Sequence, residues 1–213
     1  MTEKQKFMRK KFGRFLFTNF FINFNQSEHI EENTNNLFKL EIETIKNFIP
    51  KSVKNIMDIG CGLGIIDVLL NDFYSNKPSF YMLDKNRIDR KIKYGFSSNY
   101  ESYNDLNETK QILLDNNIDK NHIFLFDVDK EILIENKMDL VISLKSMGYH
   151  YPLEIYIDLL RKCCNQDTVF IFDLSGGYYS EKLLDKYFQS NEVIYQEASI
   201  HSLKRVLCKG LKN

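Results

Sequence analysis

An α/β fold built on a doubly wound, mostly parallel sheet is what this sequence predicts, and three features carry the prediction. After residue 50, short apolar runs alternate with helical patterns, as the strands and crossover helices of a parallel sheet do. A turn with three glycines stands directly between the first apolar run and the first helix of that series. The last two apolar runs are joined by a short link, which suits an antiparallel hairpin at the sheet edge and is too short for a parallel crossover.

Composition sets the class. The chain has 213 residues, 43% hydrophobic and 27% charged, enough to bury one proper core and unlike a disordered chain. Its 29 basic and 29 acidic residues cancel, whereas a dedicated nucleic-acid binder carries a basic excess. No DNA partner is expected.

The elements follow in order. Met8, Phe12, Phe15 and Leu16 fall on one face of a helix, behind basic residues from Lys4 to Arg14. Thr18, Asn19 and Asn23 interrupt the apolar run and no small-residue cleavage site follows, so this is not read as a signal peptide. It reads as an amphipathic helix docked on the domain, with a membrane-surface helix as the alternative. A second helix is predicted over 28–49, with Phe38, Ile42, Ile45 and Ile49 on one face and Pro50 stopping it. Residues 1–50 thus form a helical cap, and 51–213 the sheet domain. No run approaches the about 18 apolar residues that a transmembrane helix needs.

Within the sheet domain the predicted strands are 55–59, 79–83 ending in Asp84, 122–126, 138–144, 168–172, 192–196 and 202–208. The predicted helices are 64–73, 105–115, 153–163 after Pro152, and 181–188. The four cysteines, Cys61, Cys163, Cys164 and Cys208, form no C-x-x-C pair, so neither a structural metal knot nor a disulfide framework is expected. Reduced thiols place the chain in the cytoplasm.

The segment that carries chemistry is Asp58-Ile59-Gly60-Cys61-Gly62-Leu63-Gly64. Glycines here let the backbone turn tightly and approach a ligand, and the following helix N-terminus presents free N–H groups. Asp84 stands twenty residues past Gly64 at a strand end, where a carboxylate can accept from both hydroxyls of a ribose. A dinucleotide site wants G-x-G-x-x-G, but position 65 is Ile65. Asp58 would repel a pyrophosphate, whereas it suits a ligand with an ammonium and a sulfonium.

D-x-G-x-G-x-G at this place resembles motif I of the class I S-adenosylmethionine-dependent methyltransferases, and the resemblance runs from Lys51 to the C-terminus. It implies a Rossmann-like domain using S-adenosyl-L-methionine and releasing S-adenosyl-L-homocysteine. By position, Gly60, Cys61, Gly62 and Gly64 would line the methionine part, Asp58 would organise the loop and meet the amino group, and Asp84 with Lys85 would flank the ribose. Asp127 and Val128 would flank adenine, with Asp129 an alternative to Asp127.

The fourth strand runs into Ser143-Leu144-Lys145-Ser146-Met147-Gly148-Tyr149-His150-Tyr151-Pro152. The Asn/Asp-Pro-Pro-aromatic box of base N-methyltransferases is absent, and the segment resembles the loop of sugar or surface-polysaccharide O-methyltransferases. An alcohol acceptor needs its proton removed during attack, and a histidine titrating near ~6.5 can take it. His150 is the candidate base, or else a ring packed in a tyrosine-rich wall; His122 and His201 read as bystanders, and so does His29 unless a folded-over cap brings it to the cofactor mouth. Lys145 would orient an anionic substrate or stand as a solvated lysine, and Asp173 would assist His150. Tyr149 and Tyr151 would stack on a sugar or fill space. No set of metal ligands accompanies Asp173, so no metal is expected. The run from Lys85 to Lys93 is a solvated face or a basic rim for a phosphorylated or nucleotide-linked substrate.

The expected activity is methylation of a small sugar- or phosphate-type oxygen acceptor for capsule or lipopolysaccharide. The alternatives are an RNA or protein methyltransferase, or a non-catalytic cofactor-binding scaffold.

Overall fold

The computed structural model describes residues 39–75, 77–88, 103–147, 152–174, 179–196 and 203–212. The helix predicted around Phe12, three of the four histidines (His29, His150, His201), Tyr149, Tyr151 and the run 89–102 lie outside them. Helix α1 covers the described residues 39–45, and its chain turns through 46–49 to Pro50. Strand β1 (Asn55–Ile59) leads through the glycine turn to α2 (Ile65–Phe73). Strand β2 is Ser79–Asp84, and a two-residue ribbon, β3 (Arg87–Ile88) with β4 (Tyr103–Asn104), precedes α3 (Leu106–Asp115). Then come β5 (Ile123–Asp127), β6 (Leu140–Ser143), α4 (Ile157–Cys163), β7 (Val169–Leu174), α5 (Glu181–Tyr187), β8 (Phe188–Gln196) and β9 (Lys204–Leu211).

Seven strands form one sheet in the order β5-β2-β1-β6-β7-β9-β8. The first five are parallel, while β9 runs antiparallel to both β7 and β8, so the closing hairpin lies at the edge as predicted. The chain winds outward from β1 to β5 and then crosses to β6, on the other side of β1. A parallel sheet opens a crevice where its order reverses in this way, at the carboxyl ends of the strands.

Alternation along each strand sorts side chains to two faces. Ile56, Phe80, Met82, Leu140 and Ile142 pack with Ile45, Ile49, Leu70 and Leu113, against α1, α2 and α3. Met57, Ile59, Leu83, Val141, Phe170 and Phe172 pack with Leu160, Leu184 and Phe188 on the other face. Burial on both faces explains why these strands read as near-continuous apolar runs.

Boundaries differ for local reasons. Gly64 adopts the left-handed conformation and precedes α2 instead of joining it. Asp105, with an extended backbone, precedes α3 as its cap, its side chain accepting from the Asn107 N–H at 2.8 Å. His122 closes a 3-10 turn before β5, and Leu153–Ile155 is a separate 3-10 turn before α4. Strand β8 begins at Phe188, four residues earlier than its pattern suggests. Gln189 and Ser190 are exposed on an outer strand, so nothing apolar announced them.

Candidate functional site

Three positive φ angles shape the turn after β1: Gly60 at 75°, Gly62 at 53° and Gly64 at 72°. Side chains avoid this region, and glycine does not. The glycines differ in their surroundings. A Cβ on Gly64 would lie 2.8 Å from Met82 Cε and 3.2 Å from Leu113 Cδ2, so the core is closed over it. Among the described residues, a Cβ on Gly62 would meet nothing within 4 Å, which leaves that side open for a ligand.

Hydrogen bonds fix the loop from three directions. The Gly60 and Cys61 N–H groups donate to the Leu83 carbonyl at 2.7 and 3.2 Å. From β6 and the turn after it, Ser143 donates to the Ile59 carbonyl at 2.6 Å and Ser146 to the Gly60 carbonyl at 2.8 Å. From the opposite side, Asn104 and Thr109 donate to the Gly62 carbonyl at 2.9 and 2.7 Å.

Asp84 is joined to the same loop. Its Oδ2 accepts from the Gly62 N–H at 2.7 Å and from Asn104 at 3.1 Å, and its Oδ1 from the Lys85 N–H at 2.7 Å. The predicted ribose acid and the glycine turn are therefore one hydrogen-bonded unit. Asn104 and Thr109, which clamp it, carry no sequence signal beyond standing beside a helix start.

Asp127 is the register neighbour of Asp84 at the same sheet edge. Burial raises its pKa, but the Asp129 N–H at 3.1 Å and Lys130 at 3.2 Å outweigh that and hold it below the usual range. The Val128 N–H donates to the Asp84 carbonyl at 3.0 Å, a bond within the protein.

Asp58 occupies the β1 position that faces α2, and Asp67 stands on the first turn of α2. Both are buried, and among the described residues no hydrogen-bond donor reaches Asp58 Oδ1 or either Asp67 oxygen. Burial, then the charge of Asp67, pushes Asp58 well above the carboxylate range. Burial raises Asp67 to about 7. The Cys61 thiol is pushed up by burial and then by the charge of Asp84, so it stays protonated. Sequence reasoning singled out Asp58 and missed Asp67. The available signal was an acid on the apolar stripe of a helix, three residues before Leu70.

The other half of the edge is organised by a residue that sequence reasoning passed over. Arg205 of β9 is 1% exposed and clamps Asp173 at the end of β7, with Nε to Oδ1 and Nη2 to Oδ2 each 2.7 Å. The same guanidinium reaches α1, where it bonds Thr44 and the Glu41 carboxylate. Glu41 also pairs with Lys145. Burial raises the pKa of Asp173 despite Arg205. For Glu41, burial acts upward but Arg205 and Lys145 together bring it below its ordinary value. Lys145 sits at φ 60°, its N–H donating to Asp173 Oδ2 at 3.1 Å, so the chain leaving β6 is held in a conformation non-glycine residues seldom adopt. The structure thus brings Lys145 and Asp173 together, and binds each to further protein groups. No three His, Cys, Asp or Glu among the described residues are grouped to hold a metal.

No protein-family model matches the chain, and no curated protein matches it. Solved structures do match its fold. The domain StiE O-MT residues 961–1257 superposes with a TM-score of 0.59 at 14% identity, over 91% of this chain and 80% of that one. A ribosomal protein L11 methylase from Lactobacillus delbrueckii subsp. bulgaricus superposes at 0.55 with 16% identity, over 84% and 79%. A T. thermophilus 16S rRNA methyltransferase (RsmC), in complex with AdoMet and guanosine, gives 0.56 at 12% identity, over 81% and 42%. The chain has the Rossmann-like fold that these methyltransferases share.

Proposed function

We propose that this chain is an S-adenosylmethionine-dependent methyltransferase acting on a small oxygen acceptor of sugar or phosphate type. The observation that carries the reading is the junction of Gly62 with Asp84 at the sheet's switch point, beside the unpartnered Asp58 oxygen. That set fits the cofactor chemically: open space over Gly62 for its chain, an acid for its ammonium and an acid for its ribose. Gly60, Cys61, Gly62, Gly64 and Asp58 would hold the methionine part, Asp84 and Lys85 the ribose, and Asp127 and Val128 the adenine. The bound cofactor supplies an electrophilic methyl group on a sulfonium.

The protein's own work is to place and deprotonate the acceptor. Displacement in line requires the acceptor oxygen about 3–3.5 Å from the carbon it attacks, and positioning of that kind is a large share of the catalysis. On this reading His150 takes the acceptor proton, Tyr149 and Tyr151 hold the sugar face, and Lys145 orients an acidic group. Asp173, bonded to Arg205 and the Lys145 N–H, is a positioning residue for that turn. Residues 39–50 are pinned through Glu41, and on this reading the cap of residues 1–50 would close the acceptor side. Four buried free cysteines support a reducing, cytoplasmic setting, and surface-glycan precursors are the acceptor class favoured by the loop after β6.

Calorimetric titration with S-adenosylhomocysteine beside NAD, on the wild type and Asp84→Ala, tests the cofactor. Binding of the adenosyl ligand alone, weakened at least tenfold (about 1.4 kcal/mol) by the substitution, is expected. A folded protein that binds neither ligand overturns the reading. Labelled methyl transfer to nucleotide sugars, sugar phosphates, RNA and protein then separates the acceptor classes, and loss of transfer in His150→Ala is expected.

A further inference from the structure

Two acidic side chains lie against each other in the interior beside the glycine turn, with nothing to neutralise them. Asp58 is 2% exposed and Asp67 is 0%, and neither has an ion-pair partner among the described residues. An ionised carboxylate only accepts hydrogen bonds, and no donor among the described residues reaches three of the pair's four oxygens, so burial favours a protonated carboxyl there. Resting on the methyltransferase reading, we infer that Asp67 is a further residue of the cofactor site: the pair takes up an extra proton when the site is empty and loses it to solvent when a ligand's ammonium seats on the glycine turn. No bond to the ligand forms or breaks in this step. One carboxyl O–H gives its proton to buffer, and the negative charge left behind faces the ammonium.

The geometry supports each part. Alternation along β1 aims Asp58 at α2, where Asp67 stands on the first turn, and the charge of Asp67 acts on Asp58. The groups acting on the pair are all acidic or neutral: the Asp84 carboxylate from β2 disfavours its ionisation, and the Cys61 thiol in the turn stays protonated. Burial of a carboxyl without donors is unfavourable mainly in the ionised form, which an arriving cation then stabilises. A buried serine or threonine in place of Asp67 would bond Asp58 without carrying a titratable proton, so the second acid adds a linkage between pH and affinity. Because Asp67 titrates at about 7, that linkage operates in neutral to mildly acid solution.

The test is calorimetry of S-adenosylhomocysteine binding in buffers of different ionisation enthalpy, across a pH series. Release of close to one proton per site is expected at about pH 6, falling toward zero by about pH 8.5, with affinity rising up to about tenfold per pH unit below the transition. 5′-Methylthioadenosine, which keeps the nucleoside and thioether but lacks the amino group, is expected to bind without release. Asp67→Asn is expected to bind S-adenosylhomocysteine with no release and little pH dependence. Infrared difference spectra of the wild type, which need no variant to fold, are expected to lose a protonated-carboxyl C=O band on adding the ligand. Binding without proton release at every pH, or undiminished release in folded Asp67→Asn, overturns the inference and leaves the methyltransferase reading standing. So does equal release with 5′-methylthioadenosine. Absence of S-adenosylhomocysteine binding at every pH overturns both.

Discussion

Two buried acids, Asp173 at the end of β7 and Asp67 on the first turn of α2, are treated in opposite ways. Asp173 and Asp67 are both fully shielded from solvent. Asp173 faces a guanidinium that fills its two oxygens with parallel hydrogen bonds, and its charge is matched where it sits. Asp67 is set beside a second carboxyl and, among the described residues, no donor. The first arrangement holds α1, β7 and β9 together. The second leaves a local deficit that a cation can fill. Burial alone therefore says little about a charged residue's role, and what decides it is whether the protein supplies the partner or leaves that to a ligand.

Removing the partner from the matched site is the sharpest way to break the comparison. Arg205→Met should destabilise the fold by about 3–5 kcal/mol, because it leaves buried Asp173 without a cation and half-buried Glu41 with Lys145 alone. Denaturant unfolding measures this, and a loss below about 1 kcal/mol would mean the network is not the clamp described. The double replacement Arg205→Met with Asp173→Leu should recover much of the loss, since the unpaired charge at β7 goes with it.

The unmatched site should respond with the opposite sign. The folded-state pKa of Asp67, about 7, lies above its unfolded value near ~3.9. The folded chain then binds more protons than the unfolded chain between those values. The stability this contributes is full at low pH and is lost as pH rises through about 7. Asp67→Asn has no such dependence, so its stability relative to wild type should rise between about pH 4 and pH 8, by roughly 2–4 kcal/mol. Paired unfolding curves at the two pH values test it, and a constant difference would show that Asp67 is ionised throughout.

An exposed pair calibrates both. Arg87 and Asp129 approach to 3.3 Å with both side chains nearly half exposed, so Asp129→Asn should change stability by less than about 1 kcal/mol. A larger effect, measured in the same unfolding assay, would mean that the ribbon start at Arg87 contributes more than a solvated contact does.

How much of this was legible beforehand follows from how far apart the interacting residues are. Strand β1, α2 and the three-glycine turn were read correctly because their signals are contained in neighbouring residues. The doubly wound, mostly parallel class came through for a similar reason, since strand and helix patterns alternate along the chain. The ribbon of Arg87–Ile88 with Tyr103–Asn104 was not legible, because two-residue strands carry no periodicity. Asn104 was missed for the same reason, although it holds both the Gly62 carbonyl and Asp84. Asp67 was visible as an acid on an apolar stripe, yet only the packing of α2 on β1 shows which carboxyl it meets.

The sequence by itself determined the doubly wound α/β class, the glycine turn with its two acids, and the hairpin that closes the sheet. Periodicity and turn chemistry act over a few residues and need no knowledge of the fold. Tertiary structure alone decided that Arg205 belongs to Asp173 and Glu41, and that Asp58 faces Asp67 instead of a cation. The first of those links joins Glu41 and Arg205 across 164 positions, and no local pattern distinguishes a lysine or arginine at the surface from one drawn inside. Which charges meet in the interior is set by how helices pack on strands, and the penalty for an unmatched charge exists only once that packing has excluded water.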